Sequence, residues 1–330
     1  NKGHVRIYNY NGTSWIQIGS DIDGEYGSNG AGEFEGDISG YSVSLSSDGD
    51  IVAIGAPWNN GNGANSGHVR VYENSNGVWT QLGQDIDGEA GDDQSGVSVS
   101  LSDDGNTVAI GAKYNDGNGI TSGHVRIYNY NGSSWDQIGQ DIDGEAAGDE
   151  SGHSVSLSSD GNIVAIGAHE NDVNGNAYEA GHVRIYENIG GSWSQIGDDI
   201  DGEAASDYSG FSVSLSSDGS TVAIGAVYNN NGNGGNAGHV RIYQNVGGLW
   251  SQIGNDIDGE ADVDLSGLSV SLSSYGNTVA IGAYFNDGNG SNSGHVRVYS
   301  LGGTSYTSPP CSGCTDSLAL NYDPYSLIDD

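Results

Sequence analysis

The residues best able to do chemistry in this sequence are carboxylates, and they recur in a fixed pattern. The pentapeptide Asp-Ile-Asp-Gly-Glu occurs at five places. It supplies Asp21, Asp23 and Glu25; Asp85, Asp87 and Glu89; Asp141, Asp143 and Glu145; Asp199, Asp201 and Glu203; and Asp256, Asp258 and Glu260. Alternate carboxylates around a glycine turn can converge on a hard cation with oxygen ligands, so calcium is the candidate cofactor at these positions. A second reading stands beside it. Each pentapeptide begins 15 residues after an arginine, and fixed Arg–Asp partners can form salt bridges over a solvated turn. The two Asn-Asp-Gly-Asn-Gly loops, 115–119 and 286–290, can add carbonyl and carboxamide oxygens, or serve as turns alone.

Histidine is the other candidate. His4, His68, His124, His182, His239 and His295 share one register beside Arg and Tyr. A catalytic constellation is normally singular, so recurrence in every unit speaks for structural hydrogen bonding rather than catalysis or zinc. His153 and His169 lie outside that register, with no cysteine or nucleophile motif near them. Gly-x-Ser-x-Gly and His-Glu-x-x-His are absent. A position able to line a central channel reads Tyr41, Val97, His153, Phe211 and Leu268, with no matched acid–base pair. No catalytic residue and no enzymatic activity are therefore expected. Asn11, Asn131 and Asn289 open Asn-x-Ser/Thr sequons in turns and are candidate glycosylation sites. The only cysteines, Cys311 and Cys314, are candidate disulfide residues whose partners stay open.

What must position these groups is a repeat. Gly-His-Val-Arg-Ile/Val-Tyr begins at Gly3, Gly67, Gly123, Gly181, Gly238 and Gly294, at spacings of 64, 56, 58, 57 and 56 residues. Units of this kind cannot bury an apolar face alone and must stack. The unit 95–145 reads as four short strands: Ser98–Ser102, Thr107–Ala112, His124–Tyr128 and Trp135–Gly139. That predicts an all-β propeller of four-stranded antiparallel blades. Alternation suggests one aliphatic face, Val and Ile throughout, and one face that is small on inner strands and bulky on outer ones. The tryptophans, Trp15, Trp79, Trp135, Trp193 and Trp250, belong at the rim, as packing or as sugar-stacking surfaces.

Lengths inside the unit are constant, Arg to Trp being nine residues and the first glycine to the alanine ending the second strand sixteen. Length varies only between strands two and three and between blades, where one insertion of eight residues falls within Tyr26–Ser39. Both connections leave the same side of a meander, so one face is expected to vary and to bind. There are five inner strands but six third strands. This allows five blades, or six if extra or partner strands complete the termini. Trp15–Gly19 closing the last blade is one option, and unpaired edges that invite partner strands are another.

Composition narrows the partners. Among 330 residues, 44 acids face 8 Lys plus Arg, for a net charge of -36, and all the arginines lie in the repeated element. No basic patch is left for phosphates, which argues against nucleic acid. No apolar run is long enough for a membrane span. An excess of acid is tolerated best in a salty, calcium-containing medium, although it also serves solubility. The start of the chain has no signal-peptide pattern, so a secreted form would be a mature or trimmed one.

On the residues Ser39–Pro57 (SGYSVSLSSDG and IVAIGAP), followed by GHVRVY and a Trp strand, the chain resembles the FG-GAP repeats of integrin-α-like propellers over Gly3–Tyr299. The resemblance implies an extracellular or cell-surface propeller. The Asp-x-Asp-x-Asp-Gly calcium loop of that family is replaced here by Ser-Ser-Asp-Gly or similar turns, so its ligands do not carry over. Gly313–Asp330 resembles short Cys-bounded acidic modules near the C-termini of secreted proteins, which continue to a second cysteine and imply a longer protein. The expected organisation is a propeller over 1–301, a Ser/Thr/Pro linker over 302–310 and an acidic Cys-containing tail over 311–330. The expected function is a non-enzymatic extracellular structural or adhesive propeller, a fibre or assembly subunit that associates with itself or with other extracellular proteins. The alternative is calcium-assisted recognition of a glycan or protein.

Overall fold

The computed structural model describes residues 2–25, 36–173 and 177–300. The linker 302–310, the tail 311–330 with Cys311 and Cys314, and most of the insertion in Tyr26–Ser39 lie outside the described residues. The chain divides into a compact unit Asn1–Tyr299 and a second unit Ser300–Asp330. The described residues contain no helix, hence none long and apolar enough to cross a membrane. They form an all-β, five-bladed propeller with antiparallel strands.

The second blade shows how sequence becomes sheet. Ser98–Leu101, Thr107–Ala112 and His124–Tyr130 pair in succession, and the fourth strand is bent into two pieces. Trp135–Gln137 pairs with Tyr128–Tyr130, and Ile142–Asp143 returns to pair with His124–Val125. The Asp-Ile-Asp-Gly-Glu segment is therefore an edge strand, not a loop. Inner strands pack in sequence order, Ser42–Leu45 on Ser98–Leu101, then on Ser154–Leu157, Ser209–Leu215 and Ser266–Leu272.

The expected division into one aliphatic and one graded face is corrected by register. Ala109 lies opposite Ile127 and Gly111 opposite Val125, while Val108 lies opposite Tyr128 and Ile110 opposite Arg126. Facing residues in a ladder share a side. The face turned to the next blade therefore runs Ser, Ala/Gly, then Val/Ile. The face turned to the preceding blade runs Val/Leu, Val/Ile, then Arg/Tyr and Trp. Both faces thicken outward, and a thin side always meets an aliphatic one. Between the first and second blades, Ala53, Val69, Val71 and Ile86 interlock with Leu101, Val108, Ile110, Tyr128 and Trp135. Burying each large aliphatic side chain contributes about 1.5–3 kcal/mol before entropy is counted.

Polar groups key the blades together. At the rim, Trp79, Trp135, Trp193 and Trp250 donate Nε1–H to carbonyls of the preceding blade at 2.8–2.9 Å, so these tryptophans are packing residues. Near the axis, Ser98 Oγ donates to the Gly152 carbonyl at 2.8 Å, and Ser100 Oγ accepts the Leu157 N–H at 2.9 Å. Ser100→Ala strands that buried amide. An orphaned donor costs about 1–3 kcal/mol, so the urea midpoint should fall accordingly with an unchanged slope. On the constant face a chain of backbone bonds runs from blade to blade: Ser47 N to Asp103 O, Asp103 N to Ser159 O, Ser159 N to Ser217 O, and Ser217 N to Ser274 O, all at 2.8–2.9 Å.

The variable connections do share one face. Asn62 Nδ2 donates to the Gly88 and Glu89 carbonyls at 2.9 and 3.0 Å, tying the loop between strands two and three to the loop between blades. The N-terminal strand does not close the last blade: Trp15–Gln17 pairs with Tyr8–Tyr10 in its own hairpin. That half-blade packs Ile7 and Ile22 on Val52 and Ile54 of the first blade. The fifth blade has three strands among the described residues, ending with His295–Ser300.

Candidate functional site

The repeated His, Arg and acidic residues meet at the seams between blades. Arg126 Nη2 donates to the Asp87 carbonyl of the preceding blade at 2.7 Å, and its Nη1 lies 3.6 Å from Glu89. Arg70, Arg184, Arg241 and Arg297 repeat this arrangement. The expected bridge to the aspartate 15 residues later forms at Arg6, whose Nη2 is 2.9 Å from Asp21. Elsewhere that first aspartate accepts Gln Nε2–H instead, as Asp141 does from Gln137 at 2.6 Å. The cause is the side of the sheet on which Arg stands, which faces backward into the neighbouring blade.

The three carboxylates of one Asp-Ile-Asp-Gly-Glu thus serve different partners. The groups that converge are drawn from two blades: Glu25, His68 and Asp85; Glu89, His124 and Asp141; Glu145, His182 and Asp199; Glu203, His239 and Asp256. Within each set the candidate ligand atoms lie within 4.8 Å of one another. The second aspartates, Asp23, Asp87, Asp143, Asp201 and Asp258, are absent from these sets, as is Glu260. Burial pushes His68, His124, His182 and His239 down to about 4. They are neutral imidazoles at neutral pH, with Nδ1 toward the acids and a buried Nε2 that has no hydrogen-bond partner in the protein. The sequon residues Asn11, Asn131 and Asn289 are all exposed.

A different cluster is singular. Three backbone positions near the mouth of the propeller recur in every blade but carry different chemistry each time. Two residues before the first-strand glycine stand Ile38, Gln94, Glu150, Tyr208 and Leu265, all left-handed with φ between 50° and 56°. One residue after that glycine stand Tyr41, Val97, His153, Phe211 and Leu268. After the second-strand alanine stand Pro57, Lys113, His169, Val227 and Tyr284. A frame this constant makes the contrast informative: the same backbone positions present different side chains in each blade.

At the centre of this surface Lys113 Nζ donates to Glu150 Oε2 at 2.9 Å. His169 Nε2 lies 3.8 Å from the same oxygen and 3.9 Å from Glu170. The His153 and His169 rings stand 3.9 Å apart between centroids, against Phe211 at 4.6 and 5.4 Å. Tyr208 lies beside His169 and donates its hydroxyl to Glu179 at 2.6 Å. Burial pushes His153 down to about 3, helped by the Lys113 charge, and lowers His169 as well. The channel register holds no acid–base pair; folding brings Glu150 beside His169 from a neighbouring register. Lys113, Glu150, Glu179 and Tyr208 escaped the sequence reading. Superposing the five repeats residue by residue, and asking where they disagree, would have marked all but Glu179.

No protein-family model matches the sequence, and no curated protein does. Among solved structures the chain is similar to a 6-phosphogluconolactonase candidate from Bacteroides uniformis, with a TM-score of 0.52, 14% identity, and 87% of this chain and 80% of that chain covered. It is also similar to a TolB candidate from Agrobacterium tumefaciens, with a TM-score of 0.48, 12% identity, and 82% and 80% covered. At such identity the first likeness speaks for the propeller fold alone.

Proposed function

We propose that this chain is a non-enzymatic, extracellular adhesive propeller that recognises neutral glycans with its mouth. The observation that carries the reading is the break in the repeat: side chains differ from blade to blade where they ring the mouth, on backbone positions that are copied. Exposed aromatics stand there, Tyr41 at 59%, Trp58 at 45%, Tyr178 at 63% and Tyr284 at 61% of full exposure, as flat platforms for sugar rings. Acidic neighbours supply acceptors for hydroxyl groups, and a net charge of -36 disfavours anionic ligands. Imidazoles held far below neutrality make poor general bases at pH 7, which supports a binding role over catalysis.

The folded chain applied to an array of neutral glycans is expected to bind, and Tyr41→Ala combined with Tyr284→Ala to weaken binding about tenfold or more, at least about 1.4 kcal/mol. No retention above background, or a double variant that binds as well, defeats the reading. Calcium is carried as the second arm of that experiment: loss of binding on chelation, restored by calcium, gives the acidic seams a part in recognition, and unchanged binding removes it. Assembly into a fibre is a second reading, favoured by aliphatic side chains left open on the end blades. Val43 and Leu45 are 53% and 49% exposed, and Val296 and Val298 are 68% and 66% exposed, whereas Val125 and Ile127 are buried.

A further inference from the structure

We propose that Glu150, His153 and His169 form a binding site for one divalent transition-metal ion of the zinc class. Each of these residues offers a ligand atom, and the three atoms lie within 4.8 Å of one another, close enough for a side-chain adjustment to bring them around one ion. Zinc–nitrogen and zinc–oxygen bonds are about 2.0–2.2 Å, so bound ligand atoms stand roughly 3–3.5 Å apart. The inference deepens the reading of the mouth as the working surface and rests on it for its biological use, not for its chemistry.

Three observations separate this cluster from the four seam clusters. It has two imidazoles rather than one, the donor set that borderline metals prefer to the all-oxygen shell of calcium. Its histidines stand outside the repeated register, where other blades carry Tyr, Val, Phe or Leu and Pro, Lys, Val or Tyr; Nδ1 of each is buried with no hydrogen-bond partner, as Nε2 of each seam histidine is. Its carboxylate is held from outside. Lys113 Nζ on Glu150 Oε2 fixes the group as an outer partner of a metal ligand does, and His169 Nε2 lies 3.8 Å from that same oxygen. The seam glutamates instead face arginine, as Glu89 faces Arg126 at 3.6 Å. Lys113 is itself a cation near the site, but Glu150 and Glu170 together outweigh it.

Two histidines and one carboxylate leave a fourth position for an oxygen donor. In a recognition site that position suits a sugar hydroxyl, giving a neutral ligand a direct bond in an acidic setting. Tyr208 and Phe211 wall the imidazoles on one side.

The test is calorimetric titration of the metal-stripped chain with zinc chloride, no glycan present, repeated with cobalt(II) to read its tetrahedral absorption bands. The expected result is one equivalent bound, at least thirtyfold weaker in His169→Ala and in Glu150→Gln, and unchanged in His124→Ala. Glu150→Gln keeps shape and volume, and circular dichroism of each variant confirms folding, so lost binding cannot be mistaken for an unfolded blade. No stoichiometric binding, binding insensitive to Glu150→Gln, or several equivalents lost stepwise with seam histidines overturns the site. A chain that binds zinc but no glycan refutes only the glycan reading. A chain that binds glycan but no zinc refutes only the metal.

Discussion

Gly167→Ala is expected to lower the unfolding free energy by about 3 kcal/mol or more, among the largest effects a single methyl can have here. A Cβ at Gly167 would run into the Gly210 carbonyl of the next blade and into Ser154 Oγ. That hydroxyl already donates to the same carbonyl at 2.8 Å, so there is no space to yield without parting two backbones. Gly55, Gly111 and Gly225 stand in the same relation to Gly96, Gly152 and Gly267. The last blade supplies an internal control, because the nearest atoms to a Cβ at Gly282 all belong to Ser269 of its own sheet, with no neighbouring-blade carbonyl among them. Urea unfolding of the two alanine variants should therefore give a large loss for Gly167 and a small one for Gly282. Equal losses would mean that interblade contact is not what these glycines serve.

Acid should unfold the protein well above the pH at which most carboxylates titrate. His68, His124, His182 and His239 titrate near 4 in the fold because burial penalises the charged ring, against about 6.5 in an open chain. Their folded values are depressed, so between pH 6.5 and 4 the unfolded chain binds more protons than the folded one. Stability is therefore full above about pH 6.5 and falls as pH drops toward 4. Each histidine contributes a slope of up to about 1.4 kcal/mol per pH unit within that window. Four acting together reach the whole stability of an ordinary domain, about 5–15 kcal/mol. Seam carboxylates such as Glu89 and Asp143, whose values partial desolvation raises, oppose this near the bottom of the window. Melting temperatures at constant ionic strength should be flat from pH 8 to 7 and fall steeply from 6.5 to 5. His124→Gln should shed one proton from that slope. A flat profile down to pH 5 would show the rings to be charged or wet in the fold.

Much of the architecture was legible because it was written five times. Spacings held constant within the unit placed the strands of the second blade within a few residues, and put the variable loops on one side. Two errors share a cause. The grouping of Val108 and Ile110 with Val125 and Ile127, and the pairing of Arg with the aspartate 15 residues on, both treated a blade as self-contained. Side assignment depends on cross-strand register, in which Ile110 faces Arg126 and Gly111 faces Val125. Sequence shows the period of each strand but not the phase between two of them. Arg126 reaches a carbonyl in the blade before it, a contact that exists only once blades are stacked. The mouth cluster was hidden for a related reason: His153 stands just before one strand, His169 just after the next, and Lys113 belongs to another blade.

The turn amides that join Ser47 to Asp103, Asp103 to Ser159, and so on to Ser274 decide how such a molecule can grow. Every internal turn gives a bond to one neighbour and takes one from the other, so a single inserted residue would damage two junctions at once. A whole repeat, by contrast, arrives with its own donor and acceptor already in place. Tandem duplication is thereby the permitted route to a larger body, and peptide grafts for display belong on the opposite side, where no such coupling polices length.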